Sequence, residues 1–116
     1  MAVGKSVEGF GMSRIEAIKE LLAEDPKDPD LHLMLGAELR NAGRFDEAAE
    51  ALRGYLALMP ATADIGAAYR DLGICLDRLG QKDGARETYR KGVEAANRHH
   101  HMGLQSEIED LLKGLA

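Results

Sequence analysis

The stretch LGAELRNAGRFDEAAEALR at residues 35–53 returns 37 residues later as LGICLDRLGQKDGARETYR at residues 72–90. Leu35, Gly36, Leu39, Gly43, Asp46, Ala48, Glu50 and Arg53 fall on Leu72, Gly73, Leu76, Gly80, Asp83, Ala85, Glu87 and Arg90, all identities in one register. A self-match at a fixed period marks a repeated supersecondary unit. Within each copy, apolar residues recur at three- and four-residue spacing on both sides of a glycine, which predicts two amphipathic helices joined by a tight turn. Gly36 and Gly73 leave room for a neighbouring helix, Gly43 and Gly80 close the hairpin, and Ala48 and Ala85 sit where two backbones cross. With so short a turn the two helices must pack antiparallel.

The pattern extends outward from these copies. Asp28 followed by Pro29 offers a cap and a first helical residue, and Leu31, Leu35, Leu39 and Ala42 then line one face over about residues 29–42. Phe45, Ala48, Leu52, Tyr55, Leu56 and Met59 form the next stripe, ended by Pro60. Thr62 is the expected cap of the following helix, carrying Ile65, Ala68, Tyr69, Leu72, Cys75, Leu76 and Leu79. Asp83 is the expected cap of the one after it, with Ala85, Tyr89, Val93 and Ala96 inward and an end near Asn97. Upstream, Ser13 and Glu16 make a capping box ahead of Ile15, Ile18, Leu21 and Leu22, and that helix stops at Asp25-Pro26. Downstream, Leu104, Ile108, Leu111, Leu112 and Leu115 mark a last helix at about residues 102–115. Residues 1–12 hold Gly4, Gly9 and Gly11 without an apolar period and are expected to form a flexible arm, leaving residues 13–116 as one all-α domain of about six helices.

Composition agrees with this class. The chain has 116 residues, 45% hydrophobic, no Trp and an aromatic share of only 4%, so straight-chain helix formers outweigh strand formers. A net charge of −5 disfavours phosphate backbones and acidic lipid surfaces, which sets nucleic acid and membrane aside as partners. The single Cys75 has no intrachain partner, and no secretory signal opens the sequence, so the cytoplasm is the expected location.

Taken together, Leu35-Gly36, Leu39, Gly43, Phe45, Ala48, Leu52 and Pro60 resemble the tetratricopeptide repeat (TPR) pattern, and Tyr69, Leu72-Gly73, Leu76, Gly80, Ala85 and Tyr89 resemble it again. The resemblance implies a right-handed superhelix of antiparallel hairpins, with repeat 1 at about 29–62, repeat 2 at about 63–97 and a capping helix at each end. Four positions depart from the family: His32 stands where an aromatic is usual, Tyr55 and Gly92 where Ala is, and Asn97 where the closing Pro is. The offset of 37 against the family's 34 places extra residues at Ala61 to Ala63.

In that family the first helix of each repeat lines a concave groove, which here implies Leu33, Ala37, Arg40 and Asn41 from one repeat and Arg70, Ile74, Asp77 and Arg78 from the next. Aliphatic and arginine side chains together suit a protein or peptide partner bearing acidic groups, with Arg40 and Arg70 as the leading contacts. The implied function is a protein–protein interaction scaffold or adaptor, not an enzyme and without a cofactor. Self-association as a homodimer through repeat edges or the arm is the alternative, and a regulatory subunit of an enzyme a more distant one. The family's carboxylate clamp uses Lys and Asn where this chain has Leu33 and Ala37, so that role is not expected.

The remaining motifs point away from chemistry. His99, His100 and His101 are consecutive, and neighbours on a helix diverge by about 100°, so a polar turn before the last helix is expected rather than a metal site. Gly4-Lys5-Ser6 lacks the upstream Gly and strand of a phosphate loop. Cys75 falls on an apolar face, which suits packing better than redox chemistry. Glu107, Glu109, Asp110 and Lys113 are expected on the solvated side of the last helix.

Overall fold

A computed structural model describes residues 10–115, which form six α-helices and, among the described residues, no strand. They are α1 (Phe10–Glu24), α2 (Pro29–Asn41), α3 (Phe45–Leu58), α4 (Gly66–Arg78), α5 (Lys82–Arg98) and α6 (Met102–Gly114). Sequential neighbours pack on each other along the chain. The Cα radius of gyration is 15.5 Å, against about 13 Å for a compact domain of this length, and the extents of 50 × 28 × 22 Å are those of a short rod. The helices therefore stack as a solenoid, not around a central core.

The repeat register is visible in the packing. Leu39 and Leu76, Ala48 and Ala85, and Leu52 and Tyr89 are buried pair by pair. A Cβ placed on Gly36 would come within 2.9 Å of the Leu52 side chain, and one on Gly73 would collide with the Tyr89 ring. Both glycines thus sit where α3 and α5 cross their partner helices, and a larger residue there would overpack the contact. Ile15 and Ile18 of α1 and Ile108 of α6 join the same apolar cluster at its two ends, and no polar or charged residue is buried within the described chain.

Several helix starts differ from expectation. Asp28 does cap α2, its Oδ1 accepting the Asp30 amide at 2.9 Å with Pro29 as the first helical residue. By contrast, α1 begins at Phe10, so Ser13 lies inside the helix and the expected capping box is not its start. Residues 1–9 of the expected arm lie outside the described residues. Thr62 does not cap α4, which starts four residues later behind Ile65, and Asp83 lies in the first turn of α5, receiving a bond from Arg86 at 2.8 Å, with Gln81 at the cap position. Leu21, expected on the inner stripe of α1, is half exposed.

Three turns share one geometry. Gly43 and Gly80 hold φ of +78° and +80°, and around each the amide of the next residue reaches back to a helical carbonyl, Arg44 to Leu39 and Gln81 to Leu76. His100, with φ +60°, does the same between α5 and α6, its neighbour His101 donating to the Ala96 carbonyl at 2.8 Å. This is the helix-ending motif that glycine favours, here built once with histidine.

The family departures also find physical partners. The His32 ring donates through Nε2 to the Pro26 carbonyl at 2.8 Å, tying the α1–α2 turn to α2, and its Nδ1 fills the space beside Gly54. Tyr55 is buried in a second apolar cluster with Ile65, Ala68 and Ala95, beneath the long α3–α4 connection. Gly92 admits Ile108 of α6 and Tyr69 of α4 on either side.

Candidate functional site

The first helices of the two repeats and the last helix of the chain, α2, α4 and α6, are joined across one face by ion pairs. Arg40 of α2 lies 3.6 Å from Asp71 Oδ1 of α4, Arg70 donates to that same oxygen at 3.0 Å, and Arg70 Nη1 reaches Glu107 of α6 at 3.1 Å. Arg14 of α1 extends the row by donating to Glu38 of α2 at 2.8 Å. Each pair is partly exposed and worth at most about 1 kcal/mol, yet the row spans successive helices and fixes their side chains relative to one another.

The expected groove residues do not line a single pocket. Leu33 turns inward and packs against both apolar clusters, while Ala37 is exposed. Arg40, Asn41, Ile74 and Arg78 come together with Gly43 and Phe45 around a pocket of about 370 Å³ at the end of α2 and α4 next to the α2–α3 turn. Arg70 lies elsewhere, lining a second pocket of about 660 Å³ with Asp64, Ala67, His100, His101 and Leu104. Asp77 turns to Lys82, 3.0 Å away.

The two leading arginines therefore stand in different electrostatic positions. Burial works to lower the Arg70 pKa, but Asp71 and Glu107 more than offset it and hold the guanidinium above its usual value. Its Nε and Nη1 are bonded to Asp71 and Glu107, so two carboxylates already face its charge. Arg40 has only the longer contact with Asp71, and Arg78 pairs with no carboxylate among the described residues. The Arg78 guanidinium instead lies over the Phe45 ring, 5.3 Å from its centroid. Phe45 was legible only as part of the α3 apolar stripe; that it opens the helix immediately after the turn is the one signal that it borders the groove.

The histidine run forms the expected polar turn, and it also has partners that the sequence did not indicate. His99 Nε2 donates to the Thr62 carbonyl at 2.9 Å, His101 Nε2 meets Asp64 Oδ2 at 2.6 Å, and Arg98 donates to the Ala61 carbonyl at 3.1 Å. The rings of His99 and His101 stack at 6.4 Å. The turn thus clamps the residues inserted between the repeats. Among the described residues, no three His, Cys, Asp or Glu side chains come together as metal ligands would.

Buried titratable groups belong to packing. Burial pushes the Cys75 thiol up, away from a reactive thiolate, and pushes the Tyr89 hydroxyl up to about 12. Glu47 is held below the usual carboxylate range by its bond to Arg44, on the solvated side of α3. No helix of the described residues is long and apolar enough to cross a membrane.

A family model described as tetratricopeptide repeat matches residues 12–96. Among solved structures, PcrH in complex with the chaperone binding region of PopD superposes with a TM-score of 0.81 at 18% identity, over 97% of this chain and 84% of that one. The SycD chaperone of Yersinia enterocolitica, in complex with a peptide of the translocator YopD, gives 0.79 at 18% identity, over 98% and 86%. Protein BPP2914 of Bordetella parapertussis gives 0.72 at 27% identity, over 87% and 85%. No curated protein's sequence matches this chain.

Proposed function

The chain belongs to the tetratricopeptide repeat family, and from that premise we propose that it is a scaffold holding a segment of a partner protein against the face made by α2, α4 and α6. The observation that carries this is the row of ion pairs from Arg40 through Asp71 and Arg70 to Glu107. It links side chains of three helices across that face before any partner arrives, which lowers the ordering cost that binding would otherwise meet. Two proteins of the same fold, PcrH and SycD, are solved with segments of other proteins bound. The inert settings of Cys75 and Tyr89 and the solvated setting of Glu47 support binding over catalysis. A lone buried thiol suits a reducing cytoplasm, where we place the protein.

The test is peptide selection by phage display on the full chain, followed by mapping of a selected peptide on the ¹⁵N spectrum. Shifts are expected at exposed and half-buried positions of α2, α4 and α6. A footprint confined to the outer sides of α3 and α5 would sink the proposal.

A further inference from the structure

The pocket beside the α2–α3 turn joins positive charge to an apolar floor. Its lining of Arg40, Asn41, Gly43, Phe45, Ile74 and Arg78 includes two guanidinium groups and no carboxylate, in a chain whose net charge is −5. Arg40 shares its one carboxylate contact, Asp71, with the closer Arg70. Arg78 Cζ lies over the Phe45 ring at 5.3 Å, and among the described residues no carboxylate pairs with its guanidinium, so its N–H groups are available to an acceptor. Ile74 is half-buried against the main apolar cluster and gives the pocket a rigid aliphatic side.

We propose that this pocket is the acid-recognising subsite of the scaffold: Arg40 and Arg78 take the carboxylate of a Glu or Asp in the partner segment, and Phe45 and Ile74 take the aliphatic residue next to it. The assignment rests on the scaffold reading above and moves the acidic contact away from Arg70, whose charge already faces two carboxylates, Asp71 and Glu107. Two guanidinium groups facing one carboxylate form charge-assisted bonds, stronger than neutral ones and weakened by salt. A glutamine in the same place would still reach the pocket but would lose the charge.

The test titrates ¹⁵N-labelled full chain with acetyl-Leu-Glu-Leu-Glu-Leu-amide, with its glutamine twin, and with inorganic phosphate. The glutamate peptide is expected to shift the Gly43 and Ile74 amides and the Arg40 and Arg78 side-chain N–H signals, and to bind about tenfold more tightly than the twin at low salt. Arg40→Gln with Arg78→Gln together should abolish that preference. Arg53→Gln with Arg90→Gln, an equal loss of charge at exposed positions of α3 and α5, should preserve it. Both replaced side chains reach solvent, and unchanged thermal melts will verify that the variants fold. Equal binding of the two peptides, a preference that survives the double variant, or phosphate reproducing the same shifts at the same concentration would each overturn the subsite. If the peptides bind α2, α4 and α6 elsewhere, only the subsite fails. If neither binds that face, the subsite fails and the scaffold reading loses its support with it.

Discussion

His100 adopts the left-handed backbone that Gly43 and Gly80 adopt in the two equivalent turns. A side chain in that region costs about 1–2 kcal/mol, partly offset because glycine loses more freedom on folding. His100→Gly is therefore expected to stabilise the protein by about 0.5 kcal/mol, raising the melting temperature by a few degrees. A fall in melting temperature would show that the exposed His100 ring makes a contact worth more than the strain. The Gly43 and Gly80 turns were readable because glycine announces the conformation. His100 was not readable, since histidine takes it only when the hydrogen bonds at both ends of the turn demand it. Ser13, Thr62 and Asp83 show the reverse case: each is a good cap by type, yet α1, α4 and α5 start at other residues.

At the scale of elements, the α3–α4 connection and the α5–α6 turn work as a pair. Arg98, His99 and His101 bond to Ala61, Thr62 and Asp64, so the residues that lengthen the first repeat are held by the end of the second. The side chains of His101 and Asp64 are about half exposed, so their pair adds little to global stability. Replacing His99 and His101 together by alanine is expected to lower global stability by less than about 2 kcal/mol. The same change should speed thermolysin cleavage within residues 59–65 several-fold, since two anchors of the loop are gone. An unchanged cleavage rate would mean that the loop is held without the histidines. The sequence located the insertion, through the difference between 37 and 34, but not its anchor. The anchoring pairs stand 37 residues apart, at the repeat offset, but they join unlike residues, so the self-match of identities passes over them.

For the molecule as a whole, solenoid packing makes stability a sum over neighbours, so the ends should be weaker than the middle. Helix α1 rests chiefly on α2, reaching α3 through a long Lys19–Glu47 pair at 3.9 Å, whereas α4 is covered by α3, α5 and α6. Native-state hydrogen exchange is expected to show α1 amides opening well below the global unfolding free energy and α4 and α5 amides at it. Uniform protection across all six helices would show instead that the solenoid unfolds as one unit. Local periodicity, with glycine or alanine at close contacts, was enough to read the class, the helical hairpins, the repeat register and most buried positions, though Leu21, Ala42 and Leu79 are exposed. Which arginines remain available emerged only from the packing of the helices. Whether Arg40, Arg70 or Arg78 can meet a partner depends on which carboxylates face it from other helices, and charge pairing between helices is set by their packing, not by their order along the chain.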